Sequence, residues 1–232
     1  MPLILSLDTS STVCSVALHD SGRIVGLLEV HQENSHGAKL AVIIKQVIEN
    51  AGYRFEDLAA VAVSAGPGSY TGLRIGTSTA KGLCYSLGIP LLSVNSLTIM
   101  ASAMHRQLPP EFLLCPMLDA RRMEVYCAVF NRGFEDVLPV QAKIIDELSF
   151  STLLAENKMA FFGDGAMKCR EIIRHSNAFF AGGVYPSASD LGYLAHQRLA
   201  DGRTEDLVHF EPIYLKEFLI KKSSKIDSIL NK

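Results

Sequence analysis

With 232 residues, a 48% hydrophobic content and a net charge of −2, the chain has material for one large or two small domains of about 100–200 residues each. It lacks the strongly basic surface of a protein that grips nucleic acid unaided. Cys14, Cys84, Cys115, Cys127 and Cys169 stand too far apart for C-x-x-C zinc or redox pairs or a disulfide framework, and they read as small buried apolar residues in a reducing compartment.

An aspartate at position 8 interrupts the first apolar run too early for a secretory leader. No apolar run reaches the roughly 18 residues of a membrane span, so a soluble cytoplasmic protein is expected. Leu3 to Leu7, Cys14 to Leu18 and Ile24 to Val30 are strand-like runs, and Asp20-Ser21-Gly22-Arg23 has the residues of a tight hairpin turn. They predict an antiparallel meander.

From Ser35 to Asn50 a helical pattern follows, closed by Gly52 as a C-terminal cap. Leu40, Ile43, Ile44, Val47, Ile48 and Ala51 share one stripe, Ala41 widens it, and Val42 lies nearly opposite. Such a helix is either deeply packed or has a second side for a partner. His31 and His36 lack metal-binding spacing and are expected as solvent or capping histidines.

The strand Ala59 to Ser64, a glycine loop from Gly66 to Gly76, a helix from Ile75 to Leu87 and the strand Ile89 to Val94 predict a parallel strand-helix-strand unit. Gly66, Gly68 and Gly72, with Ser69 and Thr71 between them, let the backbone approach something closely: a phosphate at a helix N-terminus or another protein backbone. Neither a Walker A lysine nor Gly-x-Gly-x-x-Gly spacing is present. Gly76, Ala80 and Gly82 lower helix propensity and suggest a close helix–helix approach, within the chain or across an interface. Arg74, a cation near the helix start, opposes the helix dipole; it is either solvated or paired with a partner or ligand.

A helix over Ser96 to Gln107 leads to Leu108-Pro109-Pro110, which separates residues 1–107 from 108–232. Beyond it the layout repeats with strands at Phe112 to Leu118, Glu124 to Phe130 and Val137 to Ile145. A helix near Asp146 to Glu156, a strand Met159 to Phe162, the Gly163-Asp164-Gly165 turn and further helices follow, the last opened by a capping box at Ser187-Ala188-Ser189-Asp190. Asp8 and Asp119 end corresponding strands, where they either hold a hydrated magnesium ion across a cleft or bond turn N–H groups. Lys216, Lys221, Lys222, Lys225 and Lys232 form a basic tail that is either solvated or touches RNA phosphates. No G-x-S-x-G elbow or H-E-x-x-H pair occurs.

Ile4-Leu5-Ser6-Leu7-Asp8-Thr9-Ser10, Asn34-Ser35-His36, the block Ala65 to Gly76 with Ala80-Lys81-Gly82-Leu83, Leu118-Asp119-Ala120-Arg121 with Glu124-Val125-Tyr126, Gly163-Asp164-Gly165-Ala166 and Glu211-Pro212-Ile213-Tyr214-Leu215 resemble the TsaB (YeaZ) family over essentially the whole chain. That family supplies the small, non-catalytic subunit of the bacterial threonylcarbamoyladenosine tRNA-modification machinery. The resemblance implies an α/β fold of two tandem RNase H-like domains, the actin/hsp70-like ATPase superfamily fold, with mixed sheets and flanking helices. It implies pairing with a larger metal-containing paralogue, TsaD, which modifies adenosine 37 of tRNAs reading codons that start with A. It also implies contact with an ATPase subunit, TsaE, and with tRNA only through the complex.

By this resemblance the association surface is the first two helices, with His36, Leu40, Val42, Ile43 and Val47 on one and Arg74, Thr77, Ala80 and Lys81 on the other. Val42→Asp or Ala80→Arg is expected to abolish pairing with little loss of folding. Leu40 stands where a second histidine would be needed for the paralogue's metal, so no metal and no catalytic residue is expected in this chain. Asp8, Gly66, Gly68, Ser69, Thr71, Gly72 and Asp119 mark a nucleotide or loop site, with ATP or ADP and magnesium expected at the complex boundary rather than as an intrinsic cofactor. The rival classes are an ATP-dependent phosphotransferase of the same fold, a peptidase, and a homodimer using the same helix face.

Overall fold

The computed structural model describes residues 2–32 and 36–216. Strands β1 (Leu3–Asp8), β2 (Val13–Asp20) and β3 (Arg23–His31) form the expected antiparallel meander. The β2–β3 hairpin turns through Ser21 and Gly22, both at positive φ, as a two-residue turn demands. Helix α1 (His36–Asn50) leads through a 3₁₀ turn at Phe55–Asp57 to β4 (Ala60–Ser64), and α2 (Tyr70–Leu87) leads to β5 (Leu91–Val94) and α3 (Ser96–His105). The sheet order is β3-β2-β1-β4-β5, with β1, β4 and β5 parallel.

Beyond Pro110 come β6 (Phe112–Asp119), β7 (Glu124–Phe130), β8 (Asp136–Ile144), α4 (Ser151–Glu156), β9 (Lys158–Phe162), α5 (Ala166–Cys169), β10 (Ala178–Ala181) and α6 (Ala188–Ala200). Their sheet runs β10-β9-β6-β7-β8, the first sheet's order repeated strand for strand. The strand β10 was not expected. Four residues, Ala-Phe-Phe-Ala, carry no readable period, and pairing with β9 makes them a strand.

Every strand in the middle of the first sheet is buried on both faces. Leu3, Leu5 and Leu7 meet Leu40, Ile44, Val47 and Ile48 of α1; Ile4, Ala60, Ala62 and Leu92 meet Ile99, Leu191 and Ala195. In the second sheet Met117, Val125 and Phe161 pack under α4 and α5, while Leu114, Ala128 and Phe162 meet Leu97, Met100 and Met104 of α3. The middle layer is therefore exchanged: α3, from the first half, covers the second sheet, and α6, from the second half, covers the first. Arg106 after α3 closes the exchange by pairing with Asp190 at the start of α6. Ser187 caps α6 by accepting from Ser189 N, so Asp190 serves that ion pair rather than completing the expected capping box.

The helix after the glycine loop begins at Tyr70, five residues before the expected start. Ser69 is its N-cap, with Oγ accepting from Gly72 N at 3.2 Å. Thr71, Gly72, Leu73 and Arg74 thus belong to the helix and not to the loop. All five cysteines are buried and free, and burial pushes Cys84 up to about 11 and Cys127 up to about 12.

Candidate functional site

Two surfaces concentrate the residues singled out in the sequence: a cleft between the halves and the outer side of α1 and α2. The cleft, about 1050 Å³, is lined from one side by Ser10, Ser11, Ser69 and Thr71 and from the other by Asp119, Arg121 and Asp164. Its floor is set by the glycine loop, and here the loop's partner is the chain's own backbone. A Cβ on Gly68 would collide with Ser10 O, one on Gly72 with Thr9 O, and one on Gly76 with Thr9 Oγ1. Ser69 N donates to Ser10 O at 2.7 Å, and Thr9 Oγ1 donates to Gly72 O at 2.7 Å. Only residues without a side chain allow a helix to lie this tightly on a turn. At Gly72 and Gly76 the small residues of α2 therefore serve a helix-on-turn contact within the chain, while Gly82 of the same helix faces open space.

The two aspartates do not converge as a magnesium pair. Asp8 is fully buried, and its Oδ1 accepts from Ser10 N and Ser10 Oγ, both at 3.0 Å. Burial holds its carboxyl above the usual carboxylate range, against the pull of these hydrogen bonds. Asp119 accepts from Arg121 N at 2.8 Å and is paired with Lys168. Its own N–H donates to Asp164 Oδ1 at 2.9 Å, and Asp164 is itself raised by desolvation. The turn-bonding alternative is the one realised at both strand ends. A magnesium-bound nucleotide, implied by the superfamily fold, does not fit these residues: Asp8 is fully buried and does not line the cleft, Asp119 is paired with Lys168, and the cradle of Gly68, Gly72 and Gly76 is filled by Thr9 and Ser10. Among the described residues no group of three or more His, Cys, Asp or Glu side chains could hold a metal ion.

On the helix pair, the outward side is narrower than expected. Leu40, Ile43 and Val47 are buried in the first core and Ala80 has 0% exposure, so these four belong to the protein's own packing. Ala80→Arg would therefore unfold the chain, contrary to the expectation for that variant, because a guanidinium has no room beside the first sheet. His36 is also buried and not a solvent histidine, with Nε2 3.3 Å from Val13 O. Val42 (54%) and Tyr85 (83%) are the large apolar side chains that α1 and α2 expose to solvent, and Arg74, Ser78 and Gly82 of α2 are exposed as well. Arg74 lies over the Tyr70 ring at 4.5 Å, which stabilises a cation that the helix dipole disfavours.

Residues 205–216 form a strap that no hydrophobic period marks. Glu205 bridges to Leu91 and accepts from Ser93 Oγ at 2.6 Å. Lys81 Nζ donates to Val208 O and Phe210 O at 3.0 and 3.1 Å; Ile213 N donates to Ala65 O at 2.7 Å. Tyr214 then packs on Tyr70 at 4.8 Å, and Lys216 pairs with Glu124 of β7. The strap thus ties the second half back over α2 and the cleft. Lys221, Lys222, Lys225 and Lys232 of the basic tail lie outside the described residues.

Two tandem sheets of identical strand order, each a meander followed by parallel strands and flanked by helices, define an α/β protein of the actin/hsp70-like ATPase fold. Comparison with known proteins agrees. A family model described as TsaD, tRNA N6-adenosine threonylcarbamoyltransferase, matches residues 29–221. The Escherichia coli (strain K12) tRNA threonylcarbamoyladenosine biosynthesis protein TsaB is 30% identical over 222 residues, 92% of this chain and 94% of that protein. A crystal structure of an uncharacterized Pseudomonas aeruginosa protein with similarity to peptidase YeaZ superposes with a TM-score of 0.82 at 27% identity, over 93% of this chain and 100% of that one. A Porphyromonas gingivalis tRNA N6-adenosine threonylcarbamoyltransferase is 40% identical over 91 residues, covering 38% of this chain and 25% of that enzyme. The chain belongs to the TsaB (YeaZ) family, related to the threonylcarbamoyltransferases. Among the described residues no helix is long and apolar enough to cross a membrane.

Proposed function

We propose that this chain is the non-catalytic partner subunit of a cytoplasmic tRNA threonylcarbamoyltransferase. It pairs with the larger, metal-containing paralogue TsaD, is required for modification of adenosine 37 in tRNAs reading codons that start with A, and helps recruit the ATPase TsaE. The observation that carries this reading is the contrast between its two surfaces. The strand-end carboxylates Asp8 and Asp119 are engaged internally, while α1 and α2 present Val42 and Tyr85 to solvent on helices otherwise well packed. An apolar residue half exposed on a rigid helix supports a docking face. ATP or ADP with magnesium, on the same reading, binds at the boundary between the two subunits.

The test is threonylcarbamoylation of tRNA by the paralogue, with the threonylcarbamoyl adenylate supplied, in the presence and absence of this chain. Activity that needs both proteins supports the reading; equal activity without this chain overturns it. Val42→Asp should weaken pairing about 100-fold while leaving the melting midpoint unchanged, since its side chain is outside the core. Calorimetric titration of the chain alone with magnesium-ATP addresses the phosphotransferase alternative, for which strong binding is required.

A further inference from the structure

On α2, residues Arg74, Ser78, Lys81 and Tyr85 recur at i, i+4, i+7 and i+11 and so share one stripe. Beside that stripe the strap closes a notch of about 170 Å³, lined from the helix by Arg74, Thr77, Ser78 and Lys81 and from the strap by Glu211 and Tyr214, among others. Among the described residues no carboxylate lies within ion-pair distance of Arg74 or Lys81. Lys81 gives two hydrogens to strap carbonyls and an ammonium has three. Thr77 is 5% exposed, and its Oγ1 is buried without a hydrogen-bond partner. A buried hydroxyl left in this state is unfavourable until an acceptor reaches it.

The notch is smaller than the roughly 300–1,000 Å³ of a drug-sized ligand site, so it suits a single functional group presented from outside. Two cations and an unpaired hydroxyl select an oxyanion. Glu211 on the same wall opposes a doubly charged phosphate more than a singly charged carboxylate. We propose that the notch receives the carboxylate of an aspartate or glutamate projecting from a helix of the partner protein, ion-paired to Arg74 and accepting from Thr77 Oγ1. The inference rests on the pairing reading above and adds to it the group that fixes the partner's register on α2.

Pairing of the full chain with the paralogue tests this, with both proteins intact. Arg74→Glu should weaken binding about 30-fold or more, and Thr77→Val, nearly isosteric, by about 5-fold. Arg174→Glu on the second half should change it less than about 2-fold. Wild-type binding should weaken with added salt and that of Arg74→Gln less so. An acid-to-lysine scan of the partner's facing helix should contain one substitution that restores binding to Arg74→Glu, a result no merely structural role of Arg74 would produce. If Val42→Asp fails to pair while Arg74→Glu and Thr77→Val bind as wild type, the notch proposal is overturned and the pairing reading stands. If Val42→Asp also binds as wild type, both fall. Submillimolar binding of inorganic phosphate to the chain alone, lost in Arg74→Glu with pairing unaffected, would overturn the proposal in favour of a free anion.

Discussion

The two halves share a sheet order but not their outer helices. In the first, α1 runs for 15 residues and α2 for 18; the corresponding α4 and α5 of the second run for 6 and 4. Both pairs cover one sheet face, and the short pair is enough to bury Met117, Val125 and Phe161 completely. Covering a sheet therefore does not require helices as long as α1 and α2. Their extra length carries Val42, Ser78 and Tyr85 outward, which is why the docking face proposed above lies on the first half and not the second.

The halves agree where backbone meets backbone. Gly66 follows β4 and Gly163 follows β9, at φ 91° and 111°. Each opens a loop that lies on the end of its half's first strand: Gly68 and Gly72 on Thr9 and Ser10, Gly163 and Gly165 on Met117 and Leu118. The sharpest way to break the equivalence is to add a Cβ. Gly72→Ala and Gly163→Ala should each destabilise by about 3 kcal/mol, since backbone carbonyls cannot step aside as a flexible side chain would. Urea unfolding measures it. If Gly163→Ala is tolerated and Gly72→Ala is not, the cradle is a device of the first half alone.

Much of this was legible because it is local. The meander, α1 with its Gly52 stop, and the repeat of Asp8 by Asp119 followed from periodicity and turn residues. What was not legible depends on chain segments far apart in sequence. The exchange of α3 and α6 leaves no trace in their patterns, since a helix flanked by apolar sheets reads the same whichever sheet it meets. The strap has no period at all, and Lys81 shows its role only when Val208 and Phe210 are placed beside it. The partner face was over-read for the same reason: a stripe containing Leu40, Ile43 and Val47 says that a helix is amphipathic, not which neighbour covers it. The reverse also occurred at the glycine loop, where composition left ligand and backbone equally open and only the position of Thr9 decided.

The exchanged layer supplies a second, smaller contrast. Where α3 meets the second sheet the buried contact is built from Leu97, Met100 and Met104, with His105 bonding Arg132 O only at the helix end; where α6 meets the first, His19 of β2 is buried against Gly192 with Nε2 3.0 Å from Ser189 O. A carbonyl accepts there, so Nε2 carries the hydrogen, and Nδ1 is left buried without a partner. Desolvation pushes the imidazole below its usual value, and the nearby His196 adds to it, against the pull of Ser189 and Asp190. A cation-forming group depressed on folding is fully favourable above its unfolded value, about 6.5, and that contribution is lost as pH falls through the folded value. The melting midpoint should therefore drop by a few degrees between pH 7.5 and 5.5. His19→Gln, which keeps a donor toward Ser189, should flatten the profile in that window; an unchanged slope would show that α6 docking is not what titrates.

The smallest effect bears most directly on why α2 is long. Gly82 sits inside the helix with open space where a side chain would be. An alanine there should stabilise the isolated chain by about 0.5–1 kcal/mol, because glycine gives up more backbone freedom on entering a helix. A residue that lowers stability without any internal contact needs a reason outside the folded chain. If that reason is a partner helix passing close to α2, Gly82→Ala should raise the melting midpoint of the free protein and weaken pairing together. If it raises the midpoint and leaves pairing intact, the partner does not approach α2 at Gly82, and the contact is confined to the stripe of Arg74, Ser78 and Tyr85 with Val42 of α1.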